Sequence, residues 1–143
     1  MSTTPAVQVA DVMAVAEFRA ALRQFLRRSE RVARRWGLTP QRYMLLLMIK
    51  GAPDSAERST VTELAERLQL AQSTVTELVR RAEEAGLLER EQSQTDARVA
   101  HLRLTAEGER RLTRSFTQLA TERAYLREAF AQLDVSYRLD ASG

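Results

Sequence analysis

The sequence is poor in the residues that build metal, redox and disulfide sites. It contains no cysteine, which excludes a disulfide framework, a thiolate metal site and a cysteine redox switch. His101 is the only histidine, and no motif of carboxylates accompanies it, so we expect neither a metal site nor a cofactor. We interpret His101 as a half-exposed strand residue.

Long apolar runs and catalytic motifs are also lacking. No apolar stretch approaches the roughly 20 residues of a membrane-spanning helix, and no signal-peptide segment follows the N-terminus. We therefore expect a cytoplasmic protein with no membrane partner. The sequence shows no nucleophile–base pair, phosphate-binding glycine loop or carboxylate dyad, so it does not predict an enzyme.

Lysine is almost absent: Lys50 is the single lysine among 22 basic residues, and the others are arginines. Arginine suits bidentate contacts with phosphate and guanine better than lysine does. Codon usage in a GC-rich genome explains the same bias equally well. The formal charge of +3 and the pI near 9.9 are compatible with nucleic-acid binding and do not require it.

The most informative stretch begins at Thr60, which has the capping-box spacing to Glu63. Apolar residues at helical spacing follow it and then recur in a second helical pattern, with only residues 69–71 between the two. We expect positive φ and some strain at Gln69, in this turn, and a helix end at Gly86. Two short helices joined by so short a turn indicate a helix-turn-helix.

A hairpin is predicted directly after Gly86. Leu87–Glu91 can form a strand, Gln92–Asp96 is turn-forming, and Val99–Leu104 alternates between apolar and polar residues. A hairpin in this position is a wing. Arginines at its base and tip, Arg90 and Arg98, suit contacts with phosphates or a minor groove.

Long helical segments precede and follow this module. Their apolar residues keep heptad spacing, which requires a partner helix. The helix from Pro40 to Lys50 has a core, Tyr43–Ile49, that is apolar on almost every side, so this helix is predicted to be buried all round. The predicted fold is mainly α with a small β wing. We expect one domain, 1–143, with a winged helix-turn-helix lobe at 37–104, N- and C-terminal dimerisation helices at 9–36 and 105–133, and a tail at 134–143.

Four short motifs occur in a specific order. They are Leu38-Thr39-Pro40-Gln41 ahead of an apolar helix, Ser73-Thr74-Val75-Thr76, Asp96-Ala97-Arg98, and Leu104-Thr105-x-x-Gly108. Together they resemble the MarR family of winged helix-turn-helix transcription factors, over roughly Leu38 to Arg111. One departure is the short C-terminal arm of 38 residues after Thr105, in which a last helix starts early, near Thr121.

The resemblance implies a homodimeric transcriptional regulator, most often a repressor in this family, that binds a pseudo-palindromic site on double-stranded DNA. It also implies release by a small aromatic or phenolic effector. The second helix of the motif would enter the major groove, Asp96 would fix the wing tip, and Arg98 would reach the minor groove. The predicted DNA-binding residues are Gln72, Ser73, Thr74, Thr76, Arg80, Arg90, Asp96 and Arg98.

Two sets of residues keep alternative interpretations. Trp36, Tyr43 and Met44 are the effector-site candidates, but core packing is the interpretation that we favour for all three. On the face of the second motif helix that would meet DNA, Glu77 either accepts a hydrogen bond from a cytosine amino group or pairs with Arg80 or Arg81 and holds them in place. We favour the second role. The acidic residues there also leave open a winged-helix module that binds protein and lacks sequence-specific DNA binding: Glu77, Glu83 and Glu84.

Overall fold

The computed structural model describes residues 6–141, with side chains for residues 6–133. Mainly helical, with one small hairpin, the structure confirms the predicted fold class. The elements in chain order are α1 (Val9–Arg35), α2 (Pro40–Lys50), a 3-10 turn (Pro53–Ser55), α3 (Val61–Leu68), α4 (Gln72–Glu84), β1 (Leu88–Gln92), β2 (Ala100–Leu104), α5 (Ala106–Gln118) and α6 (Ala120–Ala141). No helix in residues 6–141 is long and apolar enough to cross a membrane.

The chain forms two compact units. The winged unit is Glu30–Thr117, and the terminal-helix unit combines the described residues up to Ser29 with those from Gln118 onward. The winged unit therefore extends beyond the predicted 37–104 lobe and takes in the end of α1 and nearly all of α5. Helix α6 continues to Ala141 through most of the predicted tail, since no proline or glycine stops it earlier, and Ser142 and Gly143 lie outside the described residues.

Helix α2 supplies the centre of the winged unit's core. Thr39 Oγ1 caps it by accepting a hydrogen bond from Arg42 N at 3.2 Å, and Gly51 follows its end. Its buried side chains are Tyr43, Leu45, Leu46 and Ile49. The prediction that α2 is buried all round is wrong at Met44, which is 36% exposed because the apolar run is longer than the face that the core covers.

Helices α3 and α4 form the predicted helix-turn-helix. Thr60 Oγ1 accepts from Glu63 N at 3.2 Å and caps α3. Gln69 ends α3 in the left-handed conformation, with φ 57°, as expected from its place in the turn. Gly86 has φ +75° just beyond α4, where glycine adopts positive φ without steric cost.

The hairpin after α4 is the predicted wing. Strands β1 and β2 pair antiparallel, from Leu88 opposite Leu104 to Gln92 opposite Ala100. Ser59, just before α3, adds a single bridge to Leu102, with backbone N–O distances of 3.1 and 2.8 Å. This bridge attaches the wing to the start of the helix-turn-helix.

The end of the wing is locked to the end of α4 at Thr105. Its Oγ1 donates to Gly86 O at 2.6 Å and accepts from Gly108 N at 3.1 Å, which caps α5. Gly108 lies so close to this junction that a Cβ there would approach Leu87 O at 2.3 Å. The packing of the wing, α4 and α5 at this junction therefore depends on glycine at position 108.

Side-chain contacts join α1 and α6 within the terminal-helix unit. The Phe18 and Phe130 rings meet edge-on at 5.8 Å, and Arg28 Nε pairs with Glu122 Oε1 at 3.2 Å. Ser29 fills the gap in the α1 seam as predicted, since it is buried and donates to Leu26 O. Many apolar side chains of this unit stay exposed: Val7, Val9, Val12, Met13, Val15, Leu26, Tyr125 and Phe130.

Candidate nucleic-acid interface

Helix α4 has one buried face and one polar, solvent-facing face. Val75, Val79 and Ala82 are fully buried, which fixes the rotation of the helix about its axis. The opposite face exposes the predicted hydroxyl and guanidinium groups of Ser73, Thr74, Thr76 and Arg80. A helix held in this way presents small polar groups at its N-terminal end, the arrangement by which helices read a major groove.

Two of the predicted contact residues at the start of α4 make local hydrogen bonds. Thr76 Oγ1 donates to Gln72 O at 2.8 Å, and Gln72 Nε2 donates to Thr62 Oγ1 at 3.4 Å. The hydroxyl oxygen of Thr76 keeps acceptor capacity. The long Gln72 bond is weak, so an incoming base edge or phosphate can replace it.

Further along the same face, Glu77 binds both arginines of α4. Its Oε1 lies 2.6 Å from Arg80 Nη2 and 3.0 Å from Arg81 Nε, and its Oε2 lies 3.0 Å from Arg80 Nε. Glu84 also accepts from Arg80 Nη1. Hydrogen bonds from Arg80 and then Arg81 lower the pKa of Glu77 to about 2, so it stays ionised near neutral pH. The predicted pairing of Glu77 with these arginines is confirmed.

The wing tip is a small hydrogen-bonded turn around Asp96. Its Oδ1 accepts from Arg98 N at 3.0 Å and, weakly, from Arg98 Nε at 3.4 Å, while Ser93 Oγ accepts from Asp96 N at 3.3 Å. The Arg98 side chain is 92% exposed. Asp96 therefore shapes the turn, and Arg98 is the group that projects from it.

The Arg90 side chain is less exposed than the Arg98 side chain. Its Nε lies 2.9 and 3.1 Å from the two carboxylate oxygens of Glu83, so the base of the wing is tied to α4. Arg90 and Arg98 both line a shallow polar cavity of about 240 Å³ that reaches Thr60 and Thr62 at the start of α3. The cavity brings wing arginines and helix hydroxyls to one surface, which suits a phosphate backbone.

The winged unit is similar to a known family of proteins. The sequence model of the MarR family matches residues 36–99, which begin just after α1 and span α2, the helix-turn-helix and the wing tip. The similarity to the MarR family therefore covers 64 of the 143 residues, all within the winged unit. The uncharacterized HTH-type transcriptional regulator YsmB of Bacillus subtilis is 28% identical to this chain over 130 residues, covering 91% of the chain and 83% of YsmB.

Solved structures of MarR proteins share the fold. Sco3205, a MarR family transcriptional regulator from Streptomyces coelicolor in complex with DNA, superimposes with a TM-score of 0.66 at 22% identity and covers all of this chain and 92% of its own. A MarR mutant from E. coli complexed with operator DNA gives 0.66 at 17% identity, covering 84% and 87%. These likenesses show that the chain has the winged-helix architecture.

The three effector-site candidates do not share one lining. Met44 borders an apolar groove of about 270 Å³ inside the winged unit, which neither Trp36 nor Tyr43 lines. Tyr43 is buried in the core, and the Trp36 ring lies 5.6 Å below the Arg114 guanidinium in a cation–π contact. The remaining residues lining the groove are Pro40, Gln41, Leu68, Leu70 and Leu78.

Sequence reasoning missed the residues that brace the winged unit. Lys50 Nζ pairs with Glu57 at 2.7 Å and Glu109 at 2.8 Å, and the hydrogen bond that it donates to Glu109 is the main reason that the pKa of Lys50 is raised. Arg67 donates to the carbonyls of Met48 and Gly51 at the end of α2. The one feature of the sequence that drew attention to Lys50 was that it is the single lysine in an arginine-rich chain, and this feature does not indicate which residues Lys50 contacts. His101 is half-buried on β2, as expected.

Proposed function

We propose that this chain is a DNA-binding transcriptional regulator of the MarR family that places α4 in the major groove and the wing in the adjacent minor groove. The observation that carries the proposal is the coexistence, in one unit, of an exposed polar α4 face and a wing tip from which Arg98 projects. The two structures solved with DNA, described above, support the same assignment by analogy of fold.

The regulator would act as a homodimer on a pseudo-palindromic operator. Apolar side chains of α1 and α6 remain exposed, among them Met13 at 62% and Phe130 at 60%. Soluble monomers rarely leave so many large apolar groups in contact with water. A second copy that covers them through a two-fold axis would also supply the paired recognition helices that a palindromic site requires.

We also propose that the regulator is a repressor, and that a small aromatic or phenolic effector relieves the repression. An effector would act by preferring the dimer geometry that does not fit DNA, which shifts the population away from the bound form. The groove beside Met44 supports such a site because it is apolar and adjoins the turn between α3 and α4. Its borders include Leu70, which is 41% exposed and belongs to that turn.

The test is DNA selection followed by binding measurements on variants. The full-length protein is used to enrich duplexes from a random-sequence library, and the affinity for the enriched duplex is measured at several salt concentrations. Arg98→Ala is expected to weaken binding by roughly 1–3 kcal/mol, because it removes a groove contact and no core atom. Arg23→Ala, which removes an exposed arginine from α1, is the matched control and should leave binding unchanged.

Two results would contradict the proposed function. A protein that enriches no sequence and binds DNA no better than it binds a non-specific duplex is not the proposed regulator. Equal affinities for wild type, Arg98→Ala and Arg80→Ala would contradict the assignment of α4 and the wing as the reading elements. A binding partner that is a protein would then be the remaining interpretation of the acidic residues on α4.

A further inference from the structure

The recognition helix carries more acidic than basic side chains. Helix α4 contains three glutamates and two arginines, and both arginines are ion-paired. DNA binds basic surfaces without regard to sequence, because each neutralised phosphate releases counterions. An acidic reading helix therefore contributes little to this general attraction, and its arginines need another explanation.

The hydrogen bonds of Arg80 occupy some of the N–H donors of its guanidinium and leave others. A guanidinium has five N–H donors. Glu77 takes the Nε donor and one from Nη2, at 3.0 and 2.6 Å, and Glu84 takes one from Nη1. One donor remains on each terminal nitrogen, and N–H groups of the two terminal nitrogens can bind O6 and N7 of guanine in a bidentate contact.

The carboxylates thus neutralise the charge of Arg80 and leave it one further N–H donor on each terminal nitrogen. Attraction to a phosphate depends mainly on charge, whereas bidentate recognition of a base depends on the position and direction of two donors. Glu77 also binds Arg81 Nε at 3.0 Å, so the second arginine of the helix is screened by the same group. The three side chains are between 45% and 61% exposed, which places the cluster on the surface that would face DNA.

We propose that Glu77 is a specificity-determining residue, resting on the proposed function: it suppresses sequence-independent binding through Arg80 and Arg81 and positions Arg80 for a guanine edge. In this role Glu77 need not contact DNA itself. Both of its oxygens already bind arginines, so direct acceptance from a cytosine amino group would require it to release them.

The chain contains a matched control for the experiment. Glu107 on α5 repeats the arrangement of Glu77, since it binds Arg110 and Arg111 at the same sequence spacing, with distances of 2.7 and 2.8 Å. Glu107→Gln changes the net charge by the same amount as Glu77→Gln and frees arginines away from α4. Both carboxylates are exposed or half-exposed surface groups, and circular dichroism checks that both variants keep the fold.

The measurement compares two DNA probes: the duplex that wild type enriches from a random library, and poly(dI-dC). Glu77→Gln should bind poly(dI-dC) more tightly, by about 8-fold at 0.1 M salt for one freed arginine, with the slope of log affinity against log salt steeper by about 1. Its affinity for the enriched duplex should rise less, because Arg80 loses its positioning, so the ratio of the two affinities falls several-fold. Glu107→Gln should leave this ratio at the wild-type value.

Three results would overturn the inference. If Glu77→Gln and Glu107→Gln behave alike on both probes, only net charge matters. If Glu77→Gln loses affinity for the enriched duplex while poly(dI-dC) binding stays constant, Glu77 reads a base directly. If wild type enriches no sequence at all, the proposed function itself fails, and the role of Glu77 fails with it. The first two results leave the proposed function standing.

Discussion

Replacement of Gly108 by alanine tests the packing that joins α4, the wing and α5. An added Cβ would lie 2.3 Å from Leu87 O, which is closer than non-bonded atoms approach, and 3.2 Å from Leu87 C, which is a tight contact. The obstructing atoms are backbone, so no side-chain rotation can relieve the clash. Helix α5 must move away from the end of α4.

The expected cost follows from what that movement breaks. Overpacking against a rigid neighbour costs about 1–3 kcal/mol. Displacement also strains the bonds of Thr105 to Gly86 O and to Leu87 O, at 2.6 and 3.0 Å, each worth about 1 kcal/mol. Alanine returns about 1 kcal/mol through its higher helix propensity. The free energy of unfolding should therefore fall by about 2–4 kcal/mol, or on the order of 10 °C in Tm.

Gly86→Ala separates steric from conformational cost. Gly86 has φ +75° but no neighbouring atom within 4 Å of an added Cβ, so alanine there pays only for the left-handed backbone, about 1–2 kcal/mol. Thermal and urea unfolding are followed by circular dichroism at a fixed protein concentration, since stability in a dimer depends on concentration. A Gly108→Ala protein as stable as wild type, or more stable than Gly86→Ala, would refute the reasoning.

Three further predictions concern dimerisation, pH and effector response. Met13→Glu should raise the dimer dissociation constant at least about tenfold in light scattering or sedimentation, by placing a charge on the exposed apolar face of α1, and an unchanged constant would exclude that face. The pKa of Glu107 is lowered to about 2, first by Arg110 and then by Arg111, so its contribution to stability is complete above the unfolded value near 4.5 and disappears as pH falls towards 2. The Tm difference between wild type and Glu107→Gln should therefore shrink over that range, and a constant difference would contradict the ion pairs. A small aromatic acid or phenol should weaken DNA binding without dissociating the dimer, and Met44→Lys should bind DNA yet lose this response; a normal response in the variant would place the effector elsewhere.

Features determined by neighbours in the sequence were predictable from the sequence alone. Thr60 caps α3, Gln69 adopts the left-handed conformation in the turn, and Asp96 closes the wing tip on Arg98 N. Glu77 reaches arginines three and four positions away because one helical turn brings them to the same face. In each case the partner lies within a few residues, so backbone geometry leaves little freedom.

Features that join different helices and strands were decided only by the tertiary structure. Lys50 meets Glu109, 59 positions later, and Arg90 is tied to Glu83 on α4. The exposure of Met44 likewise depends on which face of α2 the other helices cover, and an apolar run cannot specify that face by itself. Gly108 was visible as part of a motif, but its physical reason is the carbonyl of Leu87. Long-range packing selects among contacts that the local sequence permits equally, so these partners emerge only when the helices have docked.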